Sequence, residues 1–194
     1  YPARGFGQIS EAYASDAQKL GAELRLGWRM TALEAPRDTS SPWRISAESN
    51  GASHTIEADH VWSTIPITVL ARALQGGVPD EVRVASGAIS YRAMLLIYLQ
   101  LPVDQFSEYD AHYFPGADTQ ITRLSEPKNY SALGRPAVST VLCAELPCNA
   151  GDAVWTMSDQ ELGRVVARDL EQAGIPLPAA PKCVFTRRLP QAYP

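Results

Sequence analysis

ADHVWSTIPI, at residues 58–67, is the stretch that says most about the fold of this chain. Its apolar residues Val61, Trp62 and Ile65 predict a buried strand over Val61–Thr64 that ends at Pro66. Because proline is tolerated in the first turn of a helix, Ile67–Leu74 is predicted to be helical. A strand that leads directly into a helix presents free amides and a positive dipole end, which favour a pyrophosphate. The stretch therefore predicts a nucleotide cofactor.

The residues before this stretch predict one helix and two pairs of strands. Apolar residues at helical spacing predict an amphipathic helix over Gly7–Leu20, and Gly21 suits the position just after its end. Asn50-Gly51 is a strong signal for a tight turn between antiparallel strands. The predicted strands are Glu23–Leu26, Trp28–Leu33, Trp43–Glu48 and Ser53–Glu57.

The residues after it predict a second group of elements. Arg92–Leu101 is apolar on both faces, which predicts a central strand covered from two sides. Ser158 and Glu161 form a capping box that begins a helix over Ser158–Ala173. The other predicted elements are a short helix from Pro79 to about Gly87 and strands over Thr119–Ser125, Val138–Glu145 and Val184–Leu189. The expected class is α+β or mixed α/β, with a mixed, largely antiparallel sheet flanked by helices.

Composition excludes several classes of function. The 194 residues carry a net charge of −4, which gives no reason to expect nucleic acid as a partner. The longest strongly apolar run, Ala93–Leu99, is too short to cross a bilayer, and no signal peptide is visible. The histidines lie far apart, so no metal is expected. Three cysteines without zinc-type spacing favour reduced thiols in a cytoplasmic protein.

The candidate substrate-binding residues lie in the second group of elements. Arg123 and Glu145, on neighbouring predicted strands, either bind a substrate anion together or form a purely structural cross-strand pair, which is the favoured interpretation. Tyr91, Arg92 and Tyr98 could face a substrate cavity, although tyrosines there more often pack against a covering helix. The sequence singles out no general acid or base. Lys128 and Asn129 are expected to lie solvated in a loop.

Four sequence blocks, in this order, resemble the FAD-dependent amine oxidoreductase superfamily, in particular its protoporphyrinogen-oxidase-like branch. YPARGFG at 1–7 is similar to a loop beside the flavin. GAELRL at 21–26, with Met30 and Leu33 after it, resembles the family pattern G-A-x-(I/V)-x-L-x-x-x-V-x-x-I. ADHVWSTIP at 58–66 resembles A-D-x-V-I-S-T-x-P. TRLSEPK at 122–128, ELPC at 145–148 and RRLPQAYP at 187–194 resemble the core of a substrate domain.

The resemblance implies a flavin domain interleaved with a substrate domain. Residues 1–76 are expected to supply part of the FAD-binding domain, and residues 77–194 the substrate-binding domain. It also implies FAD as cofactor, a small-molecule substrate, and hydride transfer to the flavin from a C–N or C–C bond. Of the residues expected to contact the cofactor, Met30 would meet the adenine end, Ser63, Thr64 and Pro66 the pyrophosphate and ribose, and Arg4 and Gly5 the isoalloxazine.

The chain departs from the family pattern in two places. It lacks the G-x-G-x-x-G motif that holds the ADP pyrophosphate, because Gly5-Phe6-Gly7-Gln8-Ile9-Ser10 has neither the third glycine nor a preceding strand. It also lacks the C-terminal segment that contacts the flavin. We therefore expect a central fragment whose partners are the missing N- and C-terminal parts of the same polypeptide, and which alone is inactive and without FAD. The alternatives are a flavin-dependent UDP-sugar mutase and a cofactor-free binding module.

Overall fold

A computed structural model describes residues 2–38, 40–130 and 138–193 of the chain. Tyr1 and Pro194, at the ends of two quoted motifs, lie outside the described residues. The chain divides into two compact units, one of Asp16–Ser90 and the other of Tyr1–Ser15 with Tyr91–Pro194. Each unit holds one sheet with helices beside it, and all but one of the strand pairings described are antiparallel. The expected fold class, a mixed α/β arrangement with a largely antiparallel sheet, is confirmed.

The unit of residues 16–90 contains a four-stranded sheet in the order β3-β2-β1-β4. Its strands are β1 (Arg29–Glu34), β2 (Trp43–Ser49), β3 (Ala52–Ala58) and the two-residue β4 (Leu74–Gln75). The β2–β3 turn is as predicted, with φ of 51° at Asn50 and 78° at Gly51, the left-handed pair that a tight hairpin turn requires. Helices α2 (Ile67–Ala73) and α3 (Asp80–Ala88) pack against each other, and α2 also contacts β1.

Helix α1 (Gly7–Lys19) forms where it was predicted and ends as predicted. Gly21 has a φ of 96°, its N–H donates to the Gln18 carbonyl at 3.0 Å, and the Ala22 N–H donates to the Ala17 carbonyl at 3.0 Å. This is the hydrogen-bond pair of a glycine-terminated helix. None of the residues of α1 is buried, so the apolar stripe that suggested the helix remains open to solvent.

The second unit contains a five-stranded antiparallel sheet in the order β6-β7-β8-β5-β9. Its strands are β5 (Arg92–Leu101), β6 (Ala111–Tyr113), β7 (Arg123–Ser125), β8 (Thr140–Cys148) and β9 (Cys183–Tyr193). Strand β5 is central, between β8 and β9, as its sequence predicts. Helix α4 (Asp159–Gln172) begins after the predicted capping box, in which Ser158 and Glu161 satisfy each other's backbone amides.

One face of this sheet, which we call the covered face, packs against α4. Leu162, Val166 and Leu170 of the helix are fully buried against Leu95, Ile97 and other apolar residues of β5, β7 and β8. Gly163 allows the close approach, because a Cβ there would lie 3.0 Å from the Val184 side chain of β9. Burial of this apolar surface is the main source of the unit's stability.

Polar side chains from outside the loop between β5 and β6 hold it by hydrogen bonds. The Glu126 carboxylate accepts hydrogen bonds from the amides of Phe106 and Ser107, both at 2.9 Å, and from the Thr140 hydroxyl at 2.6 Å. Lys128 donates to Asp104 at 2.5 Å, and Asn129 donates to the Ser107 carbonyl at 2.9 Å. The expectation that Lys128 and Asn129 are solvated is therefore wrong, because long-range hydrogen bonds hold both side chains.

Two predicted strands do not form. Residues 22–25 and 60–64 are irregular, and Trp62, expected to be buried, is 95% exposed. A strand is stable only when a neighbouring strand takes up its backbone hydrogen bonds, and none of the described residues pairs with either segment. Helix α2 nevertheless begins directly after Pro66, as expected.

Candidate functional site

The side of the five-stranded sheet opposite α4 is only partly covered, and we call it the open face. Strand alternation and register place on it Met94, Leu96 and Tyr98 of β5 together with their cross-strand partners. The expectation that β5 is covered from two sides is therefore only half right. The other members of the open face include Tyr113, Arg123, Ser125, Cys143, Glu145, Phe185, Arg187 and Leu189.

One row of side chains crosses all five strands of the open face. In spatial order the row is Tyr113, Arg123, Glu145, Leu96 and Arg187. It joins two predicted site residues, Arg123 and Glu145, to two that the sequence did not indicate, Tyr113 and Arg187. Glu145 on β8 and Arg187 on β9 lie in one row because both strands pair with β5. The sequence does not reveal either register.

Arg123 and Glu145 form a cross-strand ion pair, which is compatible with both interpretations of the sequence. The Arg123 Nη2 donates to Glu145 Oε1, and the side chains are 38% and 15% exposed, respectively. Burial by itself lowers the pKa of Arg123, but its hydrogen bonds with Glu145 and Tyr113 outweigh burial and leave that pKa above its ordinary value. Arg123 is therefore held as a cation, and Glu145 accepts its hydrogen bond.

Tyr98 packs beside this row, against a neighbouring strand. Its ring stacks on Phe185 with centroids 4.6 Å apart and planes inclined by 7°. Burial raises the pKa of Tyr98, Cys143 adds to the rise, and the charges of Arg187 and Glu145 act on the phenol with opposite signs. The interpretation that Tyr98 packs against a covering helix is wrong, because α4 lies on the other face.

A concavity of about 410 Å³ lies on the open face where β5 meets the end of β9. Met94, Leu96 and Leu189 make its apolar floor, Tyr193 flanks it, and Glu145 is its charged group. Of the other predicted substrate residues, Arg92 is exposed at the start of β5, where it pairs with Tyr193, and Tyr91 immediately precedes it. An apolar floor with a few polar groups is typical of small-molecule sites.

The predicted adenosine-side residues lie in the other unit, Asp16–Ser90. Met30 is half-buried on β1, beside a bulge between Met30 and Ala32 that leaves Thr31 without a register partner. Ser63, Thr64 and Pro66 are exposed in the irregular segment before α2. The hydroxyls of Ser63 and Thr64 hydrogen bond to no side chain or backbone group among the described residues. Helix α2, which follows this segment, contacts β1, and the cofactor roles that the family resemblance assigns to these residues remain predictions.

Arg4 and Gly5 lie in the turn that begins α1. Gly5 has a φ of 88°, and its N–H donates to the Pro2 carbonyl at 2.9 Å. Arg4 is exposed and lies 3.7 Å from the Glu11 carboxylate. The roles assigned to both residues by the family resemblance remain predictions.

Two features are absent from the described part of the chain. No helix there combines the length and the apolar character that crossing a membrane requires. Residues 2–38, 40–130 and 138–193 contain no group of three or more histidine, cysteine or acidic side chains arranged to hold a metal ion.

Several solved structures share the fold of this chain. UDP-galactopyranose mutase in its reduced form is similar over 94% of this chain and 39% of its own, with 18% identity and a TM-score of 0.66. An Exiguobacterium protein, proposed elsewhere to be a protoporphyrinogen oxidase, is similar over 92% and 38%, with 21% identity and a TM-score of 0.56. Putrescine oxidase bound to putrescine is similar over 95% and 38%, with 15% identity and a TM-score of 0.66.

The chain thus spans about two fifths of the length of each of these solved structures. Among curated proteins, no sequence matches it. The family model of flavin containing amine oxidoreductases matches residues 1–190, which is nearly the whole chain. The chain therefore belongs to the flavin-containing amine oxidoreductase family.

Proposed function

We propose that this chain is the central part of an FAD-dependent oxidoreductase that removes hydride from a C–N or C–C bond of a small molecule. The observation that carries the proposal is the open face, where an apolar floor and a partly buried ion pair border a concavity. Apolar surface bordered by charged groups is often found at ligand-binding sites.

The two units would contribute different parts of the enzyme. In the unit of residues 16–90, the Met30 backbone and the hydroxyls of Ser63 and Thr64 would hold the adenosine end of FAD. The bound flavin would supply the hydride acceptor. The rest of the cofactor's contacts would come from parts of the polypeptide outside this chain. The three described cysteines are free thiols, which is in keeping with a cytoplasmic location.

The open face would bind and orient the substrate. Leu96, Met94 and Leu189 would exclude water from the apolar part of the molecule. Arg123 is fixed by Glu145 and Tyr113, so it can offer a positive charge at a constant position without reorganising when substrate binds. The chain's residues then act by positioning, and none of them has to take up a proton.

The test is to express the complete polypeptide and record its absorbance spectrum. We expect a yellow protein whose flavin bleaches without oxygen when a suitable amine or a reduced tetrapyrrole is added. Bleaching only with NAD(P)H or dithionite, together with UDP-sugar binding, would favour the mutase alternative. A complete protein that holds no flavin would overturn the proposal and leave the binding module.

A further inference from the structure

Strand β3 lies at the edge of its sheet without the protection that edge strands usually have. Among the described residues, only β2 pairs with it, so its outer side is free. Natural edge strands avoid unwanted pairing by being short, by carrying charged residues or proline, or by containing a bulge. The seven residues of β3 include no lysine, arginine or proline, and its register with β2 is regular. Such an edge is suited to pairing with another strand.

The other outer strands of the two sheets are protected. Strands β4 and β6 are only two and three residues long. Strand β9 is long, but it carries Arg187, Arg188 and Pro190, and its register with β5 is irregular towards its end. Because proline has no N–H to donate and an edge rich in charge resists pairing, β9 is a poor template. A partner strand is therefore expected at β3.

The β2–β3 hairpin fixes which backbone groups of β3 point outward. Ser49 and Ala52 flank its two-residue turn and face each other across the ladder, as a hydrogen-bonded pair does in such a hairpin. Hydrogen-bonded and non-hydrogen-bonded pairs alternate along an antiparallel ladder. The alternate residues Ser53, Thr55 and Glu57 therefore direct their N–H and C=O groups to the outer side, and all three are exposed.

A second β3 matches these outward groups when a two-fold axis passes beside Thr55. Antiparallel pairing then sets Thr55 opposite Thr55 of the second copy, and Ser53 opposite Glu57 of the second copy, so that all the outward backbone groups are paired. Threonine pairs are favourable across strands, whereas like charges directly opposite are not. This register keeps the two Glu57 carboxylates apart, and Arg44 of the same chain already donates to each of them at 3.1 Å.

We propose that the complete protein forms a two-fold symmetric dimer in which β3 pairs with β3 of a second copy, centred on Thr55. The pairing joins the two four-stranded sheets into one continuous sheet. The occupant is a second copy rather than an unrelated strand, because this edge is complementary to itself in hydrogen bonding and in charge. A strand edge alone buries less surface than a standard interface, so the dimer is expected to be weak and to depend on protein concentration.

Sedimentation equilibrium of the complete protein measures this dimer directly. We expect the dimer fraction to rise with protein concentration. Thr55→Lys should raise the dissociation constant about fivefold, because it sets two like charges opposite each other at the axis. Ser46→Lys is the matched control. It adds the same charge at the β2 partner of Thr55, one strand away from the edge, and should leave the dissociation constant unchanged.

Cysteine substitutions test the register. Oxidation should link the Thr55→Cys protein into covalent dimers, because directly opposite residues lie about 5.5 Å apart, within reach of a disulfide. Ser53→Cys should not link, since Ser53 faces Glu57 of the second copy. Wild type, with its exposed free Cys183, gives the background. A protein that stays monomeric, a dimer that Thr55→Lys does not weaken, or linkage through Ser53→Cys instead of Thr55→Cys would overturn the proposal.

Discussion

The two faces of the five-stranded sheet are built from the same strands and have opposite characters. On the covered face, Leu95, Ile97 and Leu99 are fully buried against α4 and carry no charge. On the open face, Leu96 and Tyr98 are half-buried, and the row across it holds Arg123, Glu145 and Arg187. One face therefore maintains the fold, and the other is available to bind a ligand. Substitutions on the covered face should change the unfolding free energy, and those on the open face should change it much less.

The largest expected effect comes from neighbouring leucines of β5. Leu95→Ala empties a fully buried position on the covered face and should lower the free energy of unfolding by about 3 kcal/mol. Leu96→Ala, on the half-exposed open face, should lower it by only about 1 kcal/mol or less. Urea unfolding of the complete protein measures both, and equal losses would mean that the open face is also core.

The next largest effect on the unfolding free energy is expected at a buried glutamate, compared with an exposed one. Glu126→Gln replaces a buried charged acceptor of two backbone amides with a neutral amide, which should cost about 2 kcal/mol of unfolding free energy. The control is Glu108→Gln, an exposed carboxylate in the loop that Glu126 holds. Faster proteolysis of that loop in Glu126→Gln alone is the second readout. Equal behaviour of the two variants would show that the loop is held by other contacts.

The adjacent arginines of β9 divide between the two faces. Arg188 donates to the backbone carbonyls of Trp155 at 2.9 Å and Met157 at 2.6 Å, so Arg188→Gln should lower the unfolding free energy. We expect a loss of about 1.5 kcal/mol, because charged hydrogen bonds are among the stronger ones. Arg187→Gln, at an exposed residue of the open face, should leave the unfolding free energy unchanged. Equal losses in the two variants would contradict this division between the faces.

The smallest effect is expected at the start of the helix that covers the core. Ser158→Ala removes the cap of α4 and should lower the unfolding free energy by about 1 kcal/mol. The Ser158 hydroxyl and amide also hold the pKa of Glu161 below its ordinary value. Because the pKa of Glu161 is lowered in the folded state, the cap adds to the unfolding free energy at pH values above the unfolded-state pKa. This contribution is lost as the pH falls through the folded-state pKa.

The pH dependence of stability checks this cap directly. We expect the difference between wild type and Ser158→Ala to shrink on acidification below the ordinary glutamate range. A difference that stays constant with pH would indicate that Glu161 does not take part in the cap.

The elements that could be predicted from the sequence are those with local signals. The capping box at Ser158, the turn at Asn50-Gly51 and the glycine end of α1 depend on residues a few positions apart, and all three form as expected. Strand β5 was recognised because its apolar run is long. The Arg123–Glu145 pair followed from two strands whose pairing could be inferred from their order.

The rest depends on contacts between distant residues. Segment 60–64 has the composition of a strand, but composition supplies no partner for its hydrogen bonds. Lys128 donates to Asp104 and Asn129 donates to the Ser107 carbonyl, and both acceptors lie more than 20 residues earlier in the sequence. Arg187 was missed because only the register of β9 against β5 brings it beside Leu96. The predicted strand over Val184–Leu189 was the available signal, because side chains alternate between the two faces along a strand.

The central claim is that the open face binds substrate, and a crystal structure of the complete protein with its flavin tests it most directly. We expect the flavin to border the concavity on the open face, and a bound substrate to lie on its apolar floor of Met94, Leu96 and Leu189. If another part of the polypeptide instead fills the open face, leaving no room for a small molecule, the account is contradicted.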